Sequence, residues 1–113
     1  MSARLKKADK VLCCCAGGKV RSVSAKYVLE DRLGFRRVLS VGLEKLGPED
    51  LEVLFAWADR VLVVGEEALV KKIPPQWGAK VLHVDVGPDV YFTYFNPALM
   101  ARVGPELDRL VSG

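Results

Sequence analysis

The chain has 113 residues, half of them hydrophobic and 27% charged, with a formal net charge of +3. That length suits one compact domain spanning residues 1–113, and the apolar share excludes a disordered segment. The charge is too small, and its carriers too scattered, for a dedicated nucleic-acid binder: Lys6, Lys7 and Lys10 lie near the N-terminus, Arg36 and Arg37 before a strand.

The three cysteines are adjacent, Cys13-Cys14-Cys15. Neighbouring residues make a poor disulfide framework, and no metal-ligand spacing is present, so the expectation is free thiols, no metal and no cofactor. Unpaired thiols fit a reducing compartment. Residues 1–9 are polar, lack an apolar signal core, and are expected to form a flexible N-terminal segment. No apolar run approaches membrane-spanning length, so the expectation is a cytoplasmic protein without a membrane partner. Asn, Gln and Thr occur once each, at Asn96, Gln76 and Thr93, a composition associated with thermophilic sources.

In chain order, Lys10 to Cys14 is a short apolar run predicted as the first strand. Ala25, Val28, Leu29 and Leu33 recur at helical spacing, predicting a helix from Val23 that Gly34 ends. Arg37 to Val41 is a second strand closed by Gly42. Pro48 with Glu49 and Asp50 opens a second helix, with Leu51, Leu54, Phe55 and Ala58 on its apolar face. Arg60 to Val64 is continuously apolar after its first residue, as a strand covered on both faces must be. Glu66 to Ile73 is a short helix stopped by Pro74-Pro75, and Lys80 to Val84 is the fourth strand. An aromatic and acidic loop, Asp85 to Phe95, leads to a helix capped by Asn96-Pro97, which Gly104-Pro105 is expected to break or kink.

This alternation predicts an α/β fold: a small, doubly wound, four-stranded parallel sheet in three Rossmann-like layers. Ligands of such sheets bind at the C-terminal edge of the strands. Cys15 and the Asp85–Asp89 segment follow strands one and four, so both fall on that edge. Between Cys15 and the first helix stand Ala16, Gly17, Gly18, Lys19, Val20, Arg21 and Ser22. Unpaired amides at a helix start welcome an anion, and a nearby arginine offers a planar fork to a phosphate. The residues alone therefore point to a phosphate-like dianion held by this loop and attacked by Cys15. Cys13 and Cys14 are expected to be packing residues, and His83, inside an apolar run, a structural one.

Cys15-x5-Arg21-Ser22 at the first strand–helix turn resembles the low-molecular-weight protein tyrosine phosphatases, especially their short bacterial relatives. The likeness continues in Arg21-Ser22-Val23-Ser24-Ala25, in Ser40-Val41-Gly42, in Trp57-Ala58-Asp59, in Asp85-Val86-Gly87-Pro88-Asp89-Val90-Tyr91 and in Asn96-Pro97-Ala98-Leu99. It implies a hydrolase with Cys15 as nucleophile, forming a phosphocysteine, and Arg21 as the group stabilising the transition state. It implies equatorial phosphate oxygens held by the amides of Ala16 to Arg21, Ser22 hydrogen-bonded to the sulfur, and Asp89 as general acid, with Asp85 as the alternative. Tyr91 and Phe92 would flank the entrance. The implied partner is a phosphorylated substrate, with a phosphotyrosine protein the family default.

Three positions depart from the family's pattern. Gly18 stands where an asparagine usually braces the loop, Val23 replaces a common proline, and Gly87 replaces an apolar residue. Four other functions use comparable parts: arsenate reduction with an external thiol, a phosphocarrier like the IIB sugar-transport proteins, rhodanese-like sulfur transfer, and a catalytically weak anion-binding module. A carrier keeps its phosphocysteine, whereas Arg21 and Asp89 would turn it over. Arsenate reduction needs a resolving thiol, and no cysteine lies downstream of Cys15.

Overall fold

The computed structural model describes residues 4–17 and 19–112. Four strands form one all-parallel sheet: β1 (Lys10–Cys15), β2 (Arg37–Gly42), β3 (Arg60–Val64) and β4 (Val81–Val84), in the spatial order β2-β1-β3-β4. The chain leaves β1 toward β2, then returns to the other side of β1 for β3. The direction of winding therefore reverses beside β1, the place where open sheets of this kind offer a crevice for a ligand.

The period-two alternation of a strand divides β1 and β3 between two cores. Val11 and Cys13 of β1 join Leu62 and Val64 of β3 beneath α1 (Val20–Tyr27) and α3 (Pro97–Ser112), with Ala25, Leu99, Val103 and Leu107 from the helices. Leu12, Cys14, Val61 and Val63 face the opposite way, against Phe55 of α2 (Pro48–Trp57) and Leu69 and Ile73 of the next connection. This is the doubly wound three-layer arrangement expected from the sequence. No helix among the described residues is long and apolar enough to cross a membrane.

Several boundaries differ from the sequence expectations. α1 begins at Val20, so Arg21 and Ser22 lie in its first turn and are buried. It widens into a π turn over Val28–Arg32 before Gly34, whose φ of 78° ends it. The connection after β3 is two 3-10 turns, Glu67–Lys72 and Pro75–Lys80, because Pro74 and Pro75 interrupt any longer helix. Lys80 leans back to the end of α2, its Nζ donating to the carbonyls of Phe55 and Ala58 at 2.9 and 2.8 Å.

Two expectations change: the helix is not broken at Gly104-Pro105, and Leu5 ties the N-terminal segment to the core. α3 runs unbroken through Gly104 and Pro105. An internal proline costs a helix about 3 kcal/mol. Leu99, Val103 and Leu107, on the face turned to the sheet, are completely buried, and each such burial contributes roughly 1.5–3 kcal/mol. Residues 4–9 are not a loose tail: Leu5 is a core residue, and its amide donates to the Leu110 carbonyl at 3.1 Å. An isolated leucine in a polar run carries no periodicity, which is why the sequence conceals it.

Candidate active site

β1 delivers Cys15 to the C-terminal edge of the sheet, and the chain turns there directly into α1. Lys19 occupies the N-cap position with φ −118° and ψ −88°, and no side chain caps the helix. The first-turn amides of α1 are therefore left for water or an anion. The turn is tethered to the exit of β2: Leu43 N donates to the Cys15 carbonyl at 2.8 Å and Glu44 N to the Ala16 carbonyl at 3.0 Å. Gly18, the position where the family's asparagine is replaced, lies outside the described residues.

Cys15, Gly17, Lys19 and Val20 line a cleft of about 380 Å³ together with Lys45, Asp89 and Phe92. The Cys15 thiol donates to Ser22 Oγ at 3.2 Å. When the sulfur is a thiolate, the same pair works with Ser22 donating. Cys13 and Cys14 are each sealed in a different core, Cys14 on the opposite face of the strand from Cys15. Burial, reinforced by the neighbouring thiols, pushes both well above the ordinary cysteine value, so they keep their protons at neutral pH. Cys14 points to the opposite face from Cys15, and Cys13, two residues back on the same face, lies nearly two strand rises away, a poor separation for a disulfide.

Arg21 does not line the cleft. It is 1% exposed, and its Nη1 donates to both carboxylate oxygens of Glu66, at 3.3 and 3.2 Å, and to the Gly87 carbonyl at 2.9 Å. Its Nε is buried with no hydrogen-bond partner among the described residues. An unmade hydrogen bond on a buried charged group is costly, at least about 1–3 kcal/mol. Two glycines make this placement possible. A Cβ at Gly65 would sit 2.6 Å from Arg21 Nη1 and 2.7 Å from Leu69 Cδ1, so a larger residue here would have to displace one of these side chains on a backbone of φ 150°. Gly87 adopts φ 75°, a backbone that side chains resist, while its carbonyl meets Arg21. The departure at Gly87 thus has a structural reason.

The two acidic candidates part company. Asp89 lines the cleft with Cys15, whereas Asp85 turns back on its own loop, Oδ1 accepting from Gly87 N at 2.9 Å. The loop between them is braced from α3. Arg102 Nη1 donates to the Val86 carbonyl at 2.9 Å and to the Tyr91 hydroxyl oxygen at 3.1 Å, while the Tyr91 O–H donates to the same carbonyl. This corrects the expectation for Tyr91. It is 7% exposed and belongs to the scaffold of the acid loop, not to the entrance. A ring flanked by apolar residues of α3 gains more from burial than from standing in water. Phe92 is the aromatic at the mouth: it is 86% exposed, lines the cleft, and holds a left-handed φ of 64°.

The other singled-out residues are structural. Asp59 caps the start of β1, Oδ2 accepting from Lys10 N at 2.8 Å. His83 Nε2 lies 2.8 Å from the Gly65 carbonyl, and Ser40 stands opposite Cys13 in the sheet. Among the described residues no group of three or more His, Cys, Asp or Glu side chains is arranged to hold a metal ion. Four residues of the site carried no expectation from the sequence: Gly65, Glu66, Lys45 and Arg102. Gly65-Glu66 had a usable signal, since the pair directly follows a buried strand at the functional edge. Lys45 and Arg102 had none. No protein-family model, curated protein or solved structure matches this chain.

Proposed function

We propose that the chain is a phosphomonoester hydrolase of the tyrosine-phosphatase type, working through a phosphocysteine on Cys15. The observation that carries this reading is the buried Nε of Arg21, without a hydrogen-bond partner among the described residues, in the first turn of a helix that starts just past Cys15 and has no side-chain cap. Arg21 stands behind the cleft in this structure, and the reading has its guanidinium turn to a phosphoryl group held by the first-turn amides. A serine within 3.2 Å of the sulfur and a carboxyl in the same cleft complete the set that phosphoryl transfer needs.

In the first step the Cys15 thiolate attacks phosphorus. The S–P bond forms as the ester P–O bond breaks, and Asp89 gives its proton to the departing oxygen. In the second step Asp89, now a carboxylate, takes a proton from water. The water oxygen bonds to phosphorus, the S–P bond breaks, and inorganic phosphate leaves with the thiolate restored. Ser22 stabilises the sulfur anion as it departs. Arg21 and the loop amides bear the charge that spreads over the equatorial oxygens, the electrostatic term that dominates such reactions.

Arsenate reduction is less well supported, because the two other thiols are sealed in separate cores and unable to resolve an oxidised Cys15. The test is hydrolysis of p-nitrophenyl phosphate by the chain and by Cys15→Ser. The reading requires turnover by the first and none above background by the second. Phosphate binding without turnover would leave an anion-binding module instead.

A further inference from the structure

Two lysines reach the cleft from different segments of the chain, and only one of them belongs to the loop that would hold the phosphoryl group. Lys19 and Lys45 both line it, Asp89 is the single acid among its lining residues, and neither lysine forms an ion pair with a described residue. Lys19 belongs to the anion loop itself. Lys45 does not: it comes from the turn after β2, on the far side of the Cys15 loop from Asp89's own segment. Its backbone is nonetheless held in place, because the residues just before it donate to Cys15 and Ala16, and its own amide donates to the Gly42 carbonyl at 3.0 Å. The neighbouring acid is drawn away, since Glu44 pairs with Lys72 at 3.2 Å. Arg21, the remaining cation nearby, is already balanced by Glu66. A lysine whose backbone is anchored, which has no ion pair among the described residues and which lines the same cleft as the nucleophile, is a recognition element for a negative group.

We infer that Lys45 forms a second anionic subsite, and that the substrate is a phosphomonoester bearing another negative group beside the scissile phosphoryl. Resting on the function proposed above, this deepens it by naming a substrate class. Two sources supply that chemistry: a carboxylate next to a phosphorylated residue in an acidic peptide, or the second phosphate of a small bisphosphate.

The test reads binding as well as turnover, so the two proposals fail separately. Four ligands are titrated calorimetrically into Cys15→Ser and into Cys15→Ser/Lys45→Gln: a phosphotyrosine peptide with flanking aspartates, the same peptide with asparagines, a hexose 1,6-bisphosphate, and the corresponding monophosphate. The same four are assayed for phosphate release with Cys15 intact. The subsite requires that the doubly anionic member of at least one pair bind more tightly, and that Lys45→Gln remove about a fivefold share of that preference, the size of an exposed charge pair. Preference within the peptide pair identifies the acidic peptide, and preference within the sugar pair the bisphosphate. Equal binding within both pairs, or a Lys45→Gln loss equal for every ligand, overturns the inference. Selective binding without phosphate release would overturn the hydrolase reading and leave the subsite standing.

Discussion

Glu66 holds Arg21 by one corner of its guanidinium, at 3.2 and 3.3 Å, and leaves the Nε of the same group buried with no partner among the described residues. The pair joins the end of β3 to the first turn of α1 and so sets the arginine relative to Cys15. Glu66→Gln keeps the shape but replaces a carboxylate by an amide. The expected outcome is a fall of about tenfold in kcat/KM for p-nitrophenyl phosphate, roughly 1.4 kcal/mol of transition-state stabilisation. Stability should fall by about 1–2 kcal/mol in urea, less than for a fully buried pair because Glu66 is a third exposed. Unchanged kinetics would show that Arg21 needs no such anchor.

Gly65 is tied to the same arginine. Gly65→Ala forces a methyl group to within 2.6 Å of Arg21 Nη1 on a backbone of φ 150°. Destabilisation of about 1–3 kcal/mol is expected, together with loss of turnover well beyond what the stability change explains. Urea melts at pH 7 and steady-state rates on the folded fraction separate the two effects.

The acid loop is expected to answer to groups that never touch substrate. Tyr91→Phe removes the hydroxyl that links Val86 to Arg102, with a stability loss of about 1 kcal/mol. Its kcat should drop several-fold as Asp89 loses its fixed position, with KM moving less. Circular dichroism and full saturation curves check this, and a KM-only effect would contradict the assignment of Tyr91 to the loop scaffold.

The buried thiols give a pH signature. Cys13 and Cys14 hold their protons in the folded chain to a higher pH than in the unfolded one. Between those values the native state binds more protons, so stability falls as pH rises above about 8.5. Each thiol contributes up to about 1.4 kcal/mol per pH unit. A Cys13→Ala/Cys14→Ala chain, though less stable at pH 7, should lose less between pH 8 and 10 by urea denaturation. An equal slope would contradict the burial argument.

The architecture was legible from the sequence because hydrophobic period and turn chemistry agree along most of the chain. β3, apolar from Val61 to Val64, has the same limits in sequence and structure. That Cys15 and the segment after β4 meet at one cleft was legible because chain order puts strand ends on one edge, whereas Ser22 beside the sulfur was expected from the resemblance alone. Arg21 was legible as a residue but not in its setting, since its partners are 45 and 66 positions away. Tyr91 and Leu5 misled for a related reason: one residue's burial depends on long-range packing that no local pattern records. Pro105 does not break α3, because the local rule is outweighed by the helix's buried face.

The central claim is that Cys15 carries the phosphoryl group. It is tested most directly by mixing Asp89→Asn with p-nitrophenyl phosphate, quenching rapidly and measuring the intact mass and site of modification. The account predicts a phosphorylated chain with the phosphoryl group on Cys15, absent from Cys15→Ser. Turnover by the unmodified chain with no such adduct, or with activity surviving in Cys15→Ser, would contradict it.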